Sequence, residues 1–194
     1  MTDPQSLVRE FHKAMGLHHI DDPAPDDDKT ADRRYALIRE EAYEVGYELL
    51  ERGGRTAIAH ELADLAYVVY GTAEEYGIDL GPVIEEIHRA NMSKLDDHGQ
   101  PIKDERGKVL KGPNYTKPDV AAVLERSDRQ RKEYREFERR ADAANAEFEA
   151  RVKEASRTQD VGLFNSASQS LRDFVARERC AGCGRLGCQC HESE

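Results

Sequence analysis

"REEAYEVGYELLERGGRTAIAHELADLAYVVY", residues 39–70, is the stretch on which the fold turns. Its first half continues a helix that apolar spacing predicts from about Thr30 to Arg52, ended by Gly53-Gly54. That helix is crowded with Glu40, Glu41, Glu44, Glu48 and Glu51. A second helix, from about Thr56 to Tyr76, is apolar on most sides and is therefore expected to be central. Within it Glu61 and Asp64 share a face among Leu62, Ala63, Leu65, Ala66, Val68 and Val69. A solvated face does not normally sit inside such a run, so these two carboxylates are expected to point into a helix bundle or to its edge.

A helix turns by about 100° per residue, so Glu40, Glu41 and Glu44 fall within one arc. The short connection predicts antiparallel packing, which lets the two acidic patches meet. Buried ionised carboxylates are costly unless neutralised, and converging ones raise each other's pKa. A divalent cation removes both costs. Oxygen-only ligands favour a hard ion, Mg²⁺, with Mn²⁺ as a substitute. The bland alternative has Glu40 and Glu41 solvated and Glu61 paired with Arg or Lys. "ELAD" (61–64), set in an apolar helix, weighs against it. Glu48 and Glu51 keep the solvated reading.

Outward from this pair, "SLVREFHKAMG" (6–16) places Leu7, Val8, Phe11 and Met15 at helical spacing, and "HHIDDPAPDDDKT" (18–30) is a loop. Asp79 caps a further helix, "LGPVIEEIHRANMSK" (80–94), with Val83, Ile84, Ile87 and Ala90 inward. Residues 93–118, with three glycines, three prolines and five lysines, form a loop or short hairpin. "DVAAVLERS" (119–127) opens a helical turn. Residues 128–157 are nearly all charge and alanine, with a seam at Tyr134, Phe137, Ala141, Ala144, Phe148, Val152 and Ala155. A solvated helix packed along one side, a self-associating coiled coil and disorder all remain open there. "TQDVGLFNSASQS" (158–170) breaks the pattern before a short amphipathic helix, "SLRDFVARER" (170–179). No stretch alternates as a sheet requires, so the class is all-α.

The expected division is 1–126 as one domain, 127–158 as a charged helical arm, 159–179 as a linker with a short amphipathic helix, and 180–191 as a Cys/His-rich tail. The chain has 194 residues, 35% charged and 38% hydrophobic, with net charge −10, which argues against a uniform nucleic-acid-binding surface. No run of about 18 apolar residues exists, and "MTDPQSLVREFHKAM" (1–15) lacks a signal-peptide layout, so a cytoplasmic protein without membrane association is expected.

EExxE in "REEAYE" (39–44) followed by ExxD in "ELAD" (61–64) resembles the all-α nucleoside triphosphate pyrophosphohydrolases, a superfamily that includes MazG, the dimeric dUTPases and phosphoribosyl-ATP pyrophosphohydrolase. "EFHKAMG" (10–16), "HRANMSK" (88–94) and "GKVLKGPNYTKPDV" (107–120) look like the MazG-like, phosphoribosyl-ATP pyrophosphohydrolase-like branch found in bacteria and phages. The resemblance covers about residues 5–124 and does not extend past 126. It implies a four-helix-bundle core, a homodimer or homotetramer, and a bacterial or phage origin. It also implies Mg²⁺-dependent cleavage of an NTP or dNTP to the monophosphate and pyrophosphate, with dUTP or dCTP as the first substrate guess. Glu41, Glu44, Glu61 and Asp64 match the metal ligands. Glu40 is the candidate for orienting or deprotonating water, with Glu41 as its rival.

Asn91 and Lys94, one turn apart, are candidates for base, sugar or phosphate contacts; Lys111 and Tyr115 lie on a Gly-rich segment suited to closing over a triphosphate. The bland readings are a helix C-terminal cation for Lys94 and an apolar plug for Tyr115. His12, His18, His19, His60 and His88 show no partner pattern and are read as structural or exposed. Cys180, Cys183, Cys188, Cys190 and His191 are spaced to hold a structural Zn²⁺, with redox thiols or an iron–sulfur site as alternatives. The competing functional class is a non-catalytic adaptor, or a nucleic-acid- or protein-binding module, that uses the arm and tail.

Overall fold

A computed structural model describes residues 3–178, and the Cys180–His191 cluster lies outside them. The described residues form six helices: α1 (Pro4–Ala14), α2 (Asp28–Glu51), α3 (Gly54–Glu75), α4 (Leu80–Met92), α5 (Val120–Thr158) and α6 (Val161–Glu178). Isolated bridges take the place of strands among these residues, and the class is all-α. The chain divides into two compact units, one up to Leu124 and one from Glu125.

In the first unit each helix start has a side-chain or conformational cause. Asp3 accepts from the amides of Gln5 and Ser6 to open α1, Asp27 accepts from Thr30 N to open α2, and Asp79 accepts from Gly81 N to open α4. Between α2 and α3 the chain reverses within two residues. Arg52 takes the left-handed conformation at φ 56°, and Gly54 follows at φ 85°. The reversal makes α2 and α3 antiparallel neighbours.

α1 packs antiparallel on α3, with Phe11 edge-on to Tyr67 at 5.8 Å between ring centroids. The side of α1 turned inward differs from the expected stripe. Gln5, Val8 and His12 are buried, whereas Leu7, Phe11 and Met15 are exposed. The cause is a polar clamp at the end of α3. Glu74, fully buried, pairs with Arg9 at 3.0 Å and accepts from Gln5 Nε2 and from Ile20 N. Gln5 also donates to Ile78 O and accepts from Leu80 N, tying α1 to the start of α4. One turn away Gly71 lets three elements converge, since a Cβ there would stand 2.8 Å from Arg34 Nη2 and 3.1 Å from His12 Nε2. Arg34, from α2, uses that space to donate to Val68 O and Thr72 Oγ1.

α3 is less enclosed than its composition predicts: among the described residues α2 and α1 are the helices that pack on it most, and Leu62 is 50% exposed and Val69 37%. On α4, Ala90 is buried, but Ile84 and Ile87, expected inward, are exposed. The segment after α4 folds as two successive turns of one design. Asp96 Oδ1 accepts from the amides of His98 and Gln100, and Asp104 Oδ1 accepts from those of Arg106 and Lys108. Gly99 and Gly107 complete the turns at φ 71° and 78°. Arg89 then gathers Glu86, Thr116 Oγ1 and Lys117 O, and Glu86 accepts from Asp119 N just before α5.

In the second unit α5 and α6 form a hairpin. Phe137 stacks on Phe174, Arg140 pairs with Glu178, and Arg151 donates to Ser166 and Ser170. Ala155 and Ala167 are its buried apolar residues. Two expectations change here. "DVAAVLERS" and the charged arm are one continuous helix, α5. The stretch expected as a linker is interrupted only at Gln159 (φ 58°) and Asp160, after which α6 runs unbroken to Glu178. Asp160 Oδ1 accepts from Leu163 N and so caps a helix whose alanine and phenylalanine have α5 to pack on.

Candidate metal centre

Glu41 and Glu44 project from α2 toward the facing turn of α3, where Glu61 stands. Each offers a carboxylate oxygen, and these three oxygens all lie within 4.8 Å of one another. Opposite oxygens around a hard divalent ion stand about 4–5 Å apart, so this spacing fits one shared cation. The antiparallel reversal at Arg52–Gly54 creates the match, because it brings Glu41 and Glu44 of α2 against Glu61 of α3.

Glu61 belongs to a second group as well. His60, Glu61 and Asp64 also bring one donor atom each within 4.8 Å. His60 Nδ1 lies 3.1 Å from Glu61 Oε1, and Nε2 lies 3.5 Å from Asp64 Oδ2. Sequence reasoning passed over His60. The signal that could have found it is the H-E-x-x-D spacing, which puts the first and last residues one turn apart on one face.

The electrostatics are those of an under-compensated anionic site. Burial first, then the charges of Glu44, Asp64, Glu40 and Glu61, raise the Glu41 carboxyl above its ordinary value. The hydrogen bond to Glu61, then the charges of Asp64 and Glu61, raise the His60 imidazole. Among the described residues no Lys or Arg ion-pairs with Glu41, Glu44, Glu61 or Asp64. The bland alternative, Glu61 paired with Arg or Lys, is therefore not what the fold provides; its partner is His60. The centre is also more open than the apolar surroundings of "ELAD" imply. The Asp64 side chain is 46% exposed, the Glu61 side chain 17%, and Glu44 is exposed. Glu40 is exposed and stands outside both groups.

The other candidate residues gather elsewhere in the same unit. Lys94 Nζ donates to Asn91 Oδ1 at 2.7 Å. Lys111 Nζ sits 4.5 Å from the Tyr115 ring centroid, a cation–π contact. The two pairs adjoin through Gly112, where a Cβ would stand 3.0 Å from Lys94 O. The contacts of this group run to α4 and the segment after it rather than to the carboxylates.

Fold and cluster together define a class: an all-α protein whose acidic side chains converge across an antiparallel helix pair. Residues 8–91, from within α1 to near the end of α4, match the family model described as phosphoribosyl-ATP pyrophosphohydrolase. This segment is similar to that family, which lies within the MazG-like all-α NTP pyrophosphohydrolase superfamily. A comparison with curated proteins gives no match. The matched residues include His60, the four carboxylates of the centre and Asn91, and stop short of Lys94, Lys111 and Tyr115. The match supports a nucleotide pyrophosphohydrolase activity in general.

Proposed function

We propose that the protein is a Mg²⁺-dependent nucleoside triphosphate pyrophosphohydrolase, which hydrolyses an NTP or dNTP to the monophosphate and pyrophosphate. The observation that carries this reading is the convergence of Glu41 and Glu44 from α2 with Glu61 from α3, inside the segment that matches the pyrophosphohydrolase family model. The donor set fits the cation. It is all oxygen at Glu41, Glu44 and Glu61, it lacks a Lys or Arg counter-charge among the described residues, and its spacing suits a shared ion. Glu41, Glu44, Glu61 and Asp64 would hold Mg²⁺. When bound, Mg²⁺ offsets the phosphate charge, polarises the α-phosphorus and acidifies the attacking water.

The chain's own residues supply the rest. Glu40 lies beside the ligands without belonging to either donor group, so its carboxylate is free to accept the proton of the attacking water. Glu41 is less suited to that task because its charge is needed among the ligands. Lys94 and Lys111 are the cations for the triphosphate, and Asn91 and Tyr115 the neighbouring groups for sugar and base. dUTP or dCTP is the first substrate class to test. The family description favours a second reading, phosphoribosyl-ATP, whose cleavage also releases pyrophosphate. Tyr43, Tyr47 and Leu50 on α2 and Leu62 on α3 are exposed apolar side chains, which a homo-oligomer would cover.

Calorimetric titration of Mg²⁺ in the presence of a non-hydrolysable nucleoside triphosphate tests the scheme. Saturable binding that is lost in Glu61→Gln is expected; no divalent binding with nucleotide present overturns it.

A further inference from the structure

We propose that His60 is a direct ligand of this centre and gives the His60–Glu61–Asp64 half-site a preference for a first-row transition metal such as Mn²⁺ over Mg²⁺. The proposal rests on the metal-centre reading above and deepens it.

Two donor groups share Glu61, and their chemistry differs. Glu41, Glu44 and Glu61 offer oxygen alone, whereas His60, Glu61 and Asp64 offer one nitrogen and two oxygens. Oxygen donors suit Mg²⁺ and Mn²⁺ alike, whereas an imidazole nitrogen suits first-row transition metals, among which Mn²⁺ is the one that also accepts the two carboxylates. The register is favourable. His60 and Asp64 occupy i and i+4 on one face of α3, with Glu61 beside the histidine. That is the spacing in which H-E-x-x-H holds zinc between its first and last residues, here with Asp at the last position.

The ring orientation agrees with a ligand role. Nδ1 is engaged by Glu61 Oε1 at 3.1 Å, which fixes the ring and leaves Nε2 on the Asp64 side, 3.5 Å from Oδ2. The His60 side chain is 72% exposed, so recruiting it to a cation costs little burial or strain. The surrounding charge is negative on both helices, from Glu41, Glu44 and Asp64, and nothing cationic other than His60 itself ion-pairs with these groups among the described residues.

The test uses the full chain and Mn²⁺ alone. Electron spin-echo modulation of bound Mn²⁺ shows ¹⁴N coupling in the wild type and loses it in both His60→Gln and His60→Ala. In competition titrations His60→Ala lowers Mn²⁺ affinity by about tenfold or more and leaves Mg²⁺ affinity unchanged. Asp64→Asn serves as the control for the centre as a whole. If Mn²⁺ binds and Asp64→Asn abolishes binding, yet the wild type shows no ¹⁴N coupling and His60→Ala keeps the same metal preference, His60 is only an exposed ion-pair partner and the proposal falls while the centre stands. If Mn²⁺ does not bind the wild type at all, the centre and the proposal fall together.

Discussion

Glu61 sits where two sets of ligand atoms meet, one reaching across to α2 and one staying on α3. Its replacement should therefore be more damaging than that of any single neighbour. Glu61→Gln is expected to lower pyrophosphate release by about 100-fold or more, with the thermal midpoint almost unchanged because relief of repulsion with Glu41 offsets the weakened contact with His60. Glu41→Gln should have a different signature. The metal-free chain loses a like-charge contact with Glu44, so its urea midpoint should rise by the equivalent of about 0.2–0.5 kcal/mol while hydrolysis falls. That Glu41 and Glu44 would meet Glu61 could be read from the sequence, because helical spacing gathers each patch on one arc and a short connection turns the two helices antiparallel. His60 could not be read so directly. A lone histidine on an exposed helical position carries no periodic signal, and its role depends on where Glu61 and Asp64 point.

At the level of elements, the joint between α1, α3 and α4 is held by polar groups rather than by a large apolar core. Burial pushes the Glu74 carboxyl up, but the Arg9 guanidinium, the Ile20 amide and Gln5 together outweigh it and hold the group below its ordinary value. A carboxylate lowered in the folded state contributes stability above its unfolded value, and that stability is lost as pH falls through the folded one. Denaturant unfolding should therefore show wild-type stability dropping as pH falls below about 4.5, with a shallower drop in Glu74→Gln. Glu74→Ala should cost about 3 kcal/mol, the low end for a broken buried pair, because the Arg9 side chain is 31% exposed. Helix positions and caps were legible: Gly53-Gly54, Asp79 and the long spacing of α2 and α3 each mark a boundary. The clamp was not, because "EE" at 74–75 looks like a solvated helix end and its partner Gln5 lies 69 residues away. The same distance explains the rotated face of α1, since periodicity finds a stripe but not what covers it.

At the scale of the whole molecule, the first unit carries the centre and the second is a helical hairpin with small residues in its seam. Phe174→Ala removes the partner of Phe137 and should speed amide exchange across α6, read by mass spectrometry over residues 161–178. None of the described helices is long and apolar enough to cross a membrane. The exposed tyrosines and leucines of α2 and α3 predict a mass of at least two chains by light scattering, and a Leu50→Glu, Leu62→Glu chain should shift toward one. The central claim, that the acidic helix pair is a metal-dependent pyrophosphohydrolase site, is tested most directly by pyrophosphate release. The substrates are the common NTPs and dNTPs and phosphoribosyl-ATP, each with Mg²⁺ and with chelator, in the wild type and in Glu61→Gln. The account predicts equal amounts of monophosphate product and pyrophosphate from at least one substrate, only with Mg²⁺ and about 100-fold or more slower in Glu61→Gln. Release from Glu61→Gln at the wild-type rate, or no release from any substrate by the wild type, would contradict it.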